Sequence, residues 1–185
     1  MTETENPSAR FSQSQIQQAL LSLMKKTPYA EITVKEILYE AKIARKTFYR
    51  NFISKDDALN SIVKIYIKNY EEGILNLTSE DLTDFFEFVF AFVEDNLAFF
   101  NILCKNKLVH IFFEELNASI PVFHKKFCAD CSFFNNLTQA QTEYAIAFNI
   151  GAIWNIILKW TSDGMKIPKK KIISGIVKYL DFLHG

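Results

Sequence analysis

The chain has 185 residues, room for one domain or a small module fused to a larger one, and it can bury a core without disulfide or metal staples. Hydrophobic residues make up 49% and charged residues 23%, while 5 Gly and 4 Pro exclude collagen-like and low-complexity chains and argue against a turn-rich all-β fold. Lys plus Arg and Asp plus Glu are 21 each, so the net charge is zero, which excludes a uniformly positive surface but not a local basic patch.

In chain order, apolar residues recur at helical spacing almost throughout. Ile16, Leu20, Leu23 and Met24 follow Ser14-x-x-Gln17, a capping-box pattern, and predict a first helix over about 13–26. Thr27-Pro28 closes it, because the residue before proline is pushed out of the α region. Thr33-x-x-Glu36 opens a short second helix with Val34, Ile37 and Leu38 facing inward. A break near Lys42 leads to a short third helix from Ala44 to Asn51. Ser54-x-x-Asp57 caps a longer fourth helix with Leu59, Ile62, Val63 and Tyr66 inside. Five more follow over about 80–95, 98–116, 118–130, 137–160 and 168–183. Thr138-x-x-Gln141 caps the second last, and Pro168 suits the first turn of the last, where a missing N–H costs nothing. With no convincing alternating strand, the expectation is an all-α chain of about nine helices.

Composition shifts along the chain. Lys42, Arg45, Lys46, Arg50 and Lys55 fall in one stretch without an acid, whereas 13 of the 18 Phe lie between Phe85 and Phe134. This divides the chain into a polar-contact module over 1–60 and a larger apolar module over 61–185. The odd cysteine count (Cys104, Cys128, Cys131) does not make a closed disulfide framework and favours a reducing cytosol. The first fifteen residues lack an apolar signal-peptide core. Tyr144 to Leu158 is too short to span a bilayer and contains Asn149 and Asn155. The expected location is cytoplasmic.

The informative stretch is Thr33 to Lys55, TVKEILYEAKIARKTFYRNFISK. A helix of about eight residues persists only when docked. Ile43, Phe48 and Phe52 can supply the inner edge, leaving Arg45, Lys46, Tyr49 and Arg50 outward. That division suits a helix seated in a DNA major groove. Helix starts at Thr33 and Ser54 offer N–H groups to phosphate, with Lys35 and Lys55 beside them. The alternative is a solvated basic face on an ordinary bundle.

The residues Ala41-Lys42-Ile43-Ala44, then Thr47-Phe48-Tyr49-Arg50-Asn51-Phe52, then Ser54-Lys55, with Thr33-Val34-x-x-Ile37 upstream, resemble the helix-turn-helix of the tetracycline-repressor (TetR) family of bacterial transcription regulators. The resemblance implies an N-terminal three-helix DNA-binding domain and a C-terminal helical bundle for ligand binding and dimerisation. It implies that Thr33, Tyr49 and Lys55 hold phosphates. Arg45, Lys46, Thr47 and Arg50 would face the groove, with Arg45 and Arg50 reading base edges. Lys35 and Lys42 complete the expected DNA-binding set. Lys42 stands where the family turn has glycine, which argues for a reshaped turn because a left-handed non-glycine residue is costly. Ala44 stands where the family has a serine cap, and it leaves the helix start without one.

Past residue 60, Gly151-Ala152-Ile153-Trp154, Lys159-Trp160, Asp163-Gly164 and Pro168 are similar to the C-terminal region of a TetR subgroup common in Gram-positive bacteria. In the family the last two helices form a four-helix dimer interface. Ala147-x-x-x-Gly151 permits close helix approach, and Ile172, Ile176, Leu180 and Leu183 make an apolar stripe. With Trp154 these are the expected interface; intramolecular core is the alternative. Phe88, Phe92, Phe99, Phe112, Phe127 and Phe148, with His110, are the expected ligand pocket. Phe85, Phe123, Phe133 and Phe134 offer further walls, and plain core packing explains the same rings. His124, Cys128 and Cys131 share one helical face and suggest a metal or redox sensor, or buried packing; without a fourth ligand no metal is expected.

The sequence contains no Gly-rich phosphate loop, no Gly-x-Ser-x-Gly and no zinc-protease helix motif, so no enzyme and no cofactor are expected. The leading expectation is a ligand-responsive homodimeric repressor on a palindromic double-stranded operator, with a small apolar or aromatic effector. The alternative is a TetR-like interaction protein or coactivator that binds another regulator.

Overall fold

The computed structural model describes residues 7–78, 81–119 and 137–184. Among these it contains nine α-helices and no strand: α1 (Pro7–Lys26), α2 (Val34–Ala41), α3 (Arg45–Asn51), α4 (Lys55–Asn76), α5 (Leu82–Asp95), α6 (Leu97–Lys105), α7 (Val109–Ala118), α8 (Gln139–Ser162) and α9 (Lys169–His184). A 3-10 turn, Tyr29–Glu31, links α1 to α2. The all-α expectation is met.

Most predicted starts and caps are present. The Thr33 and Thr138 boxes are both complete: each hydroxyl accepts the N–H three residues on, and Glu36 or Gln141 accepts the cap's own N–H. At α4 the Ser54 hydroxyl accepts the Asp57 N–H, while Asp57 reaches one residue further back to the Ile53 N–H.

Two of the predicted helices differ from expectation. The first helix starts at Pro7 rather than about residue 13, because Pro is tolerated in a first turn and nothing in 8–13 breaks the helix. Ser14-x-x-Gln17 is therefore no cap; Gln17 instead donates to the Ser61 hydroxyl at 3.0 Å. The helix expected over 98–116 is two, α6 and α7, parted at Asn106–Leu108. Lys107 turns left-handed there (φ 58°), and the Leu108 N–H reaches back to the Leu103 carbonyl at 2.9 Å, a Schellman-type stop. The expected helix over 118–130 lies almost wholly outside the described residues.

Two compact units emerge. The first takes the chain up to Tyr66 together with Ala98–Phe112, so the head expected over 1–60 gains a second segment from far along the sequence. Its core is Ile16, Leu20 and Met24 of α1, Ile37 of α2, Phe48 of α3, Leu59 and Val63 of α4 and Leu103 of α6. Tyr66 stacks on Phe99 (3.7 Å between centroids), and Phe100 meets Phe112 edge-on at 5.1 Å.

The second unit takes Ile67–Leu97 and the chain from Phe113. Its centre is Tyr70, whose ring lies 5.1 Å from Phe92 and 6.1 Å from Trp154. Phe90 sits 5.0 Å from Trp160, whose indole N–H donates to the Ile167 carbonyl at 2.7 Å. Gly73 makes room for a ring here: a Cβ at that position would run into Phe88 unless that side chain shifted. Lys169 ties α9 to α5 through Glu94 at 2.7 Å and Glu87 at 3.9 Å. Among the described residues no helix is long and apolar enough to cross a membrane.

Candidate nucleic-acid interface

The head is built by a sharp stop and an immediate restart. α2 ends where Lys42 adopts φ 53°, ψ 43°, and the Ile43 N–H closes on the Leu38 carbonyl at 3.2 Å. The turn is thus not reshaped, contrary to expectation. Lys42 itself takes the left-handed conformation that glycine would take more easily. The next cap, Ala44, is extended and offers no side-chain hydrogen bond, so α3 begins uncapped, as its residue type requires.

Seven residues cannot hold a helix by themselves. α3 is held by Phe48, which is wholly buried, and by Phe52 just beyond it, with ring centroids 6.1 Å apart. Burying a Phe side chain stabilises by roughly 1.5–3 kcal/mol. Docking that face fixes the other: Arg45, Lys46, Tyr49 and Arg50 are exposed, and Thr47 and Ile43 are half-buried. The Arg45 guanidinium lies 5.4 Å from the Tyr49 ring centroid, a cation–π pair one helical turn apart. Among the described residues Lys42, Lys46 and Arg50 have no ion-pair partner. The outer edge is thus a row of uncompensated cations with hydroxyls between them.

The flanking residues divide. Lys35 is exposed on the first turn of α2. Thr33 is exposed, but its hydroxyl donates to Glu36 at 2.7 Å and accepts the Glu36 N–H at 3.3 Å. These bonds from the Thr33 hydroxyl and the Thr33 N–H hold the Glu36 carboxyl below its ordinary range. Lys55, expected at a phosphate, is engaged elsewhere. Its ammonium donates to the carbonyls of Tyr29 (2.8 Å), Ala30 (3.2 Å) and Ile32 (2.8 Å), which occupies all three of its N–H groups. The reason is tertiary: only the Tyr29 carbonyl of the three accepts a backbone N–H within the turn, from Ile32, and folding sets Lys55, at the start of its helix, facing all three.

Sequence reasoning missed Tyr29 and Asn106, which join at that turn. The only signal was an Asn-Lys pair at 106–107 inside an otherwise helical run. It also missed Ile53, which is exposed at the corner between α3 and α4 although its neighbour Phe52 is buried.

Among the residues expected in the C-terminal sites, Trp154 is 2% exposed and packs in the core of its unit. Phe148, expected in a pocket, is 75% exposed, because α8 buries the stripe Ile146, Trp154, Ile157 and Trp160 and position 148 falls opposite it. His110 is exposed too. Phe99 and Phe112 are core of the first unit, and Phe88 and Phe92 pack around Tyr70 in the second. Ala147, Gly151, Ile172, Ile176 and Leu180 are half-buried. Phe123, Phe127, Phe133, Phe134, His124, Cys128, Cys131 and the side chain of Leu183 lie outside the described residues.

Comparison with known proteins agrees with this geometry. Residues 16–62 match the model described as bacterial regulatory proteins, tetR family, and residues 80–181 match that of a transcriptional regulator C-terminal region. No curated protein sequence matches. Among solved structures, a Clostridium perfringens protein described as a "putative fatty acid metabolism regulator" is similar in fold, with 20% identity and a TM-score of 0.57 over 88% of this chain and 94% of that one. A docked recognition helix with a cationic outer edge, and family models matching both halves, make this chain a member of the TetR family of DNA-binding transcription regulators.

Proposed function

We propose that the chain is a homodimeric, ligand-responsive repressor of the cytoplasm, rather than an enzyme, and that it holds a palindromic operator through α3. The observation that carries this is the outer edge of α3, where Arg45, Lys46 and Arg50 face solvent while Phe48 anchors the inner edge. Arg45 and Arg50 read guanine edges in the major groove, where a bidentate arginine contributes roughly 1–3 kcal/mol of discrimination. Lys46, Lys42 and Lys35 meet phosphates, as does the Tyr49 hydroxyl. Thr33 and Lys55 serve by shaping the head.

One such helix reads too few bases, so two copies are needed at half-sites about 34 Å apart. The surface supporting dimerisation lies on α8 and α9. Tyr144 is 81%, Phe148 75%, Tyr179 62% and Phe182 81% exposed, and a Cβ added at Gly151 would meet nothing. Large exposed apolar groups in such number mark an association surface. Half-buried Ile172, Ile176 and Leu180 adjoin it in sequence, with Ala147 on α8.

The effector is apolar. What supports this is the name of the Clostridium perfringens protein of the same fold, which refers to fatty acid metabolism. Binding acts on DNA affinity only if the effector prefers one arrangement of the two heads.

The test is selection of duplexes from a random pool by the full chain, followed by footprinting and native mass spectrometry. The expected result is an enriched inverted repeat bound by a dimer. Failure to enrich any duplex, with the protein folded and dimeric, overturns the operator reading in favour of a coactivator that binds another regulator.

A further inference from the structure

The connector between α1 and α2 is pinned by side chains from two distant parts of the first unit. The Tyr29 N–H donates to Asn106 Oδ1 at 2.7 Å. The Asn106 amide donates in turn to the carbonyls of Met24 at 3.2 Å and Ile102 at 2.8 Å. Beside it, the Lys105 ammonium donates to the Lys25 carbonyl at 2.6 Å. Met24 and Lys25 sit in the last turn of α1, where carbonyls lack helical partners. On the other side Lys55 takes the Tyr29 carbonyl, lies 4.6 Å from the Tyr29 ring centroid, and is followed by Asp56, which accepts the Tyr29 hydroxyl.

Tyr29 is therefore a junction: its N–H, carbonyl, hydroxyl and ring each meet a side chain from α4 or from the corner between α6 and α7. No side chain of the turn Tyr29–Glu31 is fully buried, so hydrogen bonds rather than packing set its place. The turn leads directly into Thr33, the cap of α2, and α2 carries α3 through the stop at Lys42.

We propose that Asn106 is a positioning residue for DNA binding. Acting through Tyr29, which Lys55 holds from the other side, it fixes the connector and so the pose in which α2 and α3 are presented, although it lies far outside residues 1–60. The proposal rests on the operator reading above. It assigns the α6–α7 corner, which belongs to the first unit, a direct hold on the reading head.

The test uses the full chain and the duplex that wild type selects from a random pool. Asn106→Ala, Asn106→Asp, Lys55→Met and the double variant Asn106→Ala/Lys55→Met are titrated onto it, and amide exchange is followed by NMR. Asn106→Ala loses all three bonds and is expected to weaken DNA binding roughly three- to tenfold, the size of the one bond that reaches Tyr29. Asn106→Asp keeps the acceptor for the Tyr29 N–H but gives up both donors and sets a carboxylate against the Met24 and Ile102 carbonyls, so its loss is expected to match or exceed that of Asn106→Ala, and the amide-exchange pattern guards against a variant that simply misfolds. The double variant falls short of the product of the two single losses, because both act through Tyr29. Exchange quickens at Tyr29 and also at Ile37 in α2. Unchanged affinity in Asn106→Ala overturns the proposal, and so do losses that multiply independently. Should wild type select no duplex, the operator reading fails on its own account and exchange alone decides: quickening that reaches Ile37 supports the junction, and quickening confined to Tyr29 overturns it.

Discussion

Two exposed faces of this chain have opposite chemistry. On α3 the outward residues are Arg45, Lys46, Tyr49 and Arg50. On α8 and α9 they are Tyr144, Phe148, Tyr179 and Phe182. Both helix sets are docked by fully buried aromatics, Phe48 in the first unit and Trp154 in the second. What differs is the partner each outer face can satisfy. Cations without ion pairs attract a polyanion at little desolvation cost, whereas exposed rings gain only by excluding water against another apolar surface. One face therefore suits DNA, and the other suits a second copy of the chain.

The largest effect that separates core from surface is Trp154→Ala. Trp154 contacts Tyr70 and Phe113 within its own unit. Emptying that site costs about 3–5 kcal/mol, and the fall in thermal midpoint is expected not to depend on protein concentration. A fall relative to wild type that shrinks at high concentration would restore Trp154 to the dimer face, where the sequence suggested it.

Phe148→Asp is the complementary change. It removes no core contact but buries a carboxylate in any apolar interface, where central aromatic anchors are worth about 2 kcal/mol or more. Sedimentation is expected to show monomers at concentrations where wild type is dimeric, with far-UV dichroism unchanged. Dimers of wild-type affinity would remove the aromatic face from the interface.

How much of this was legible in the sequence follows from period and punctuation. Apolar spacing located the head because Phe48 and Phe52 are its only large anchors near α3, so the outward set was what remained. The boxes at Thr33 and Thr138 were legible because a cap is a local interaction. The split at Asn106 was not, because Lys107 takes a left-handed conformation that nothing in its residue type announces. The hold of Lys55 on the 3-10 turn was not legible either, because three carbonyls from another turn come within its reach only after folding. Between Tyr144 and Leu158 of α8 nearly every position is apolar, so Trp154 and Phe148 could not be assigned to inner or outer face by composition. Only the choice of buried stripe, Ile146 through Trp160, separates them.

Within the cationic face a finer division is expected. Arg45→Ala should weaken the selected duplex by a factor matching about 1–3 kcal/mol while leaving nonspecific binding close to wild type. Lys46→Ala should weaken both and reduce the salt slope by about 0.9. Competition titrations over a range of salt decide it. Equal losses for both variants on both duplexes would mean that Arg45 holds phosphate rather than a base.

The smallest effect is at the cap of α2. Hydrogen bonds from the Thr33 hydroxyl and N–H hold the Glu36 carboxyl below its ordinary range in the folded chain. A depressed folded value means that the carboxylate's contribution is complete above the unfolded range, near about pH 4.3, and is lost as pH falls through the lowered value. Protonation leaves the Thr33 N–H facing a weaker acceptor, and α2 frays from its first turn. Glu36→Gln keeps a side-chain acceptor for the box and cannot titrate. Amide exchange of the first turn of α2 is therefore expected to rise in wild type below that range, and to stay level across it in Glu36→Gln. The same acid dependence in both proteins would place the titrating group elsewhere in the head.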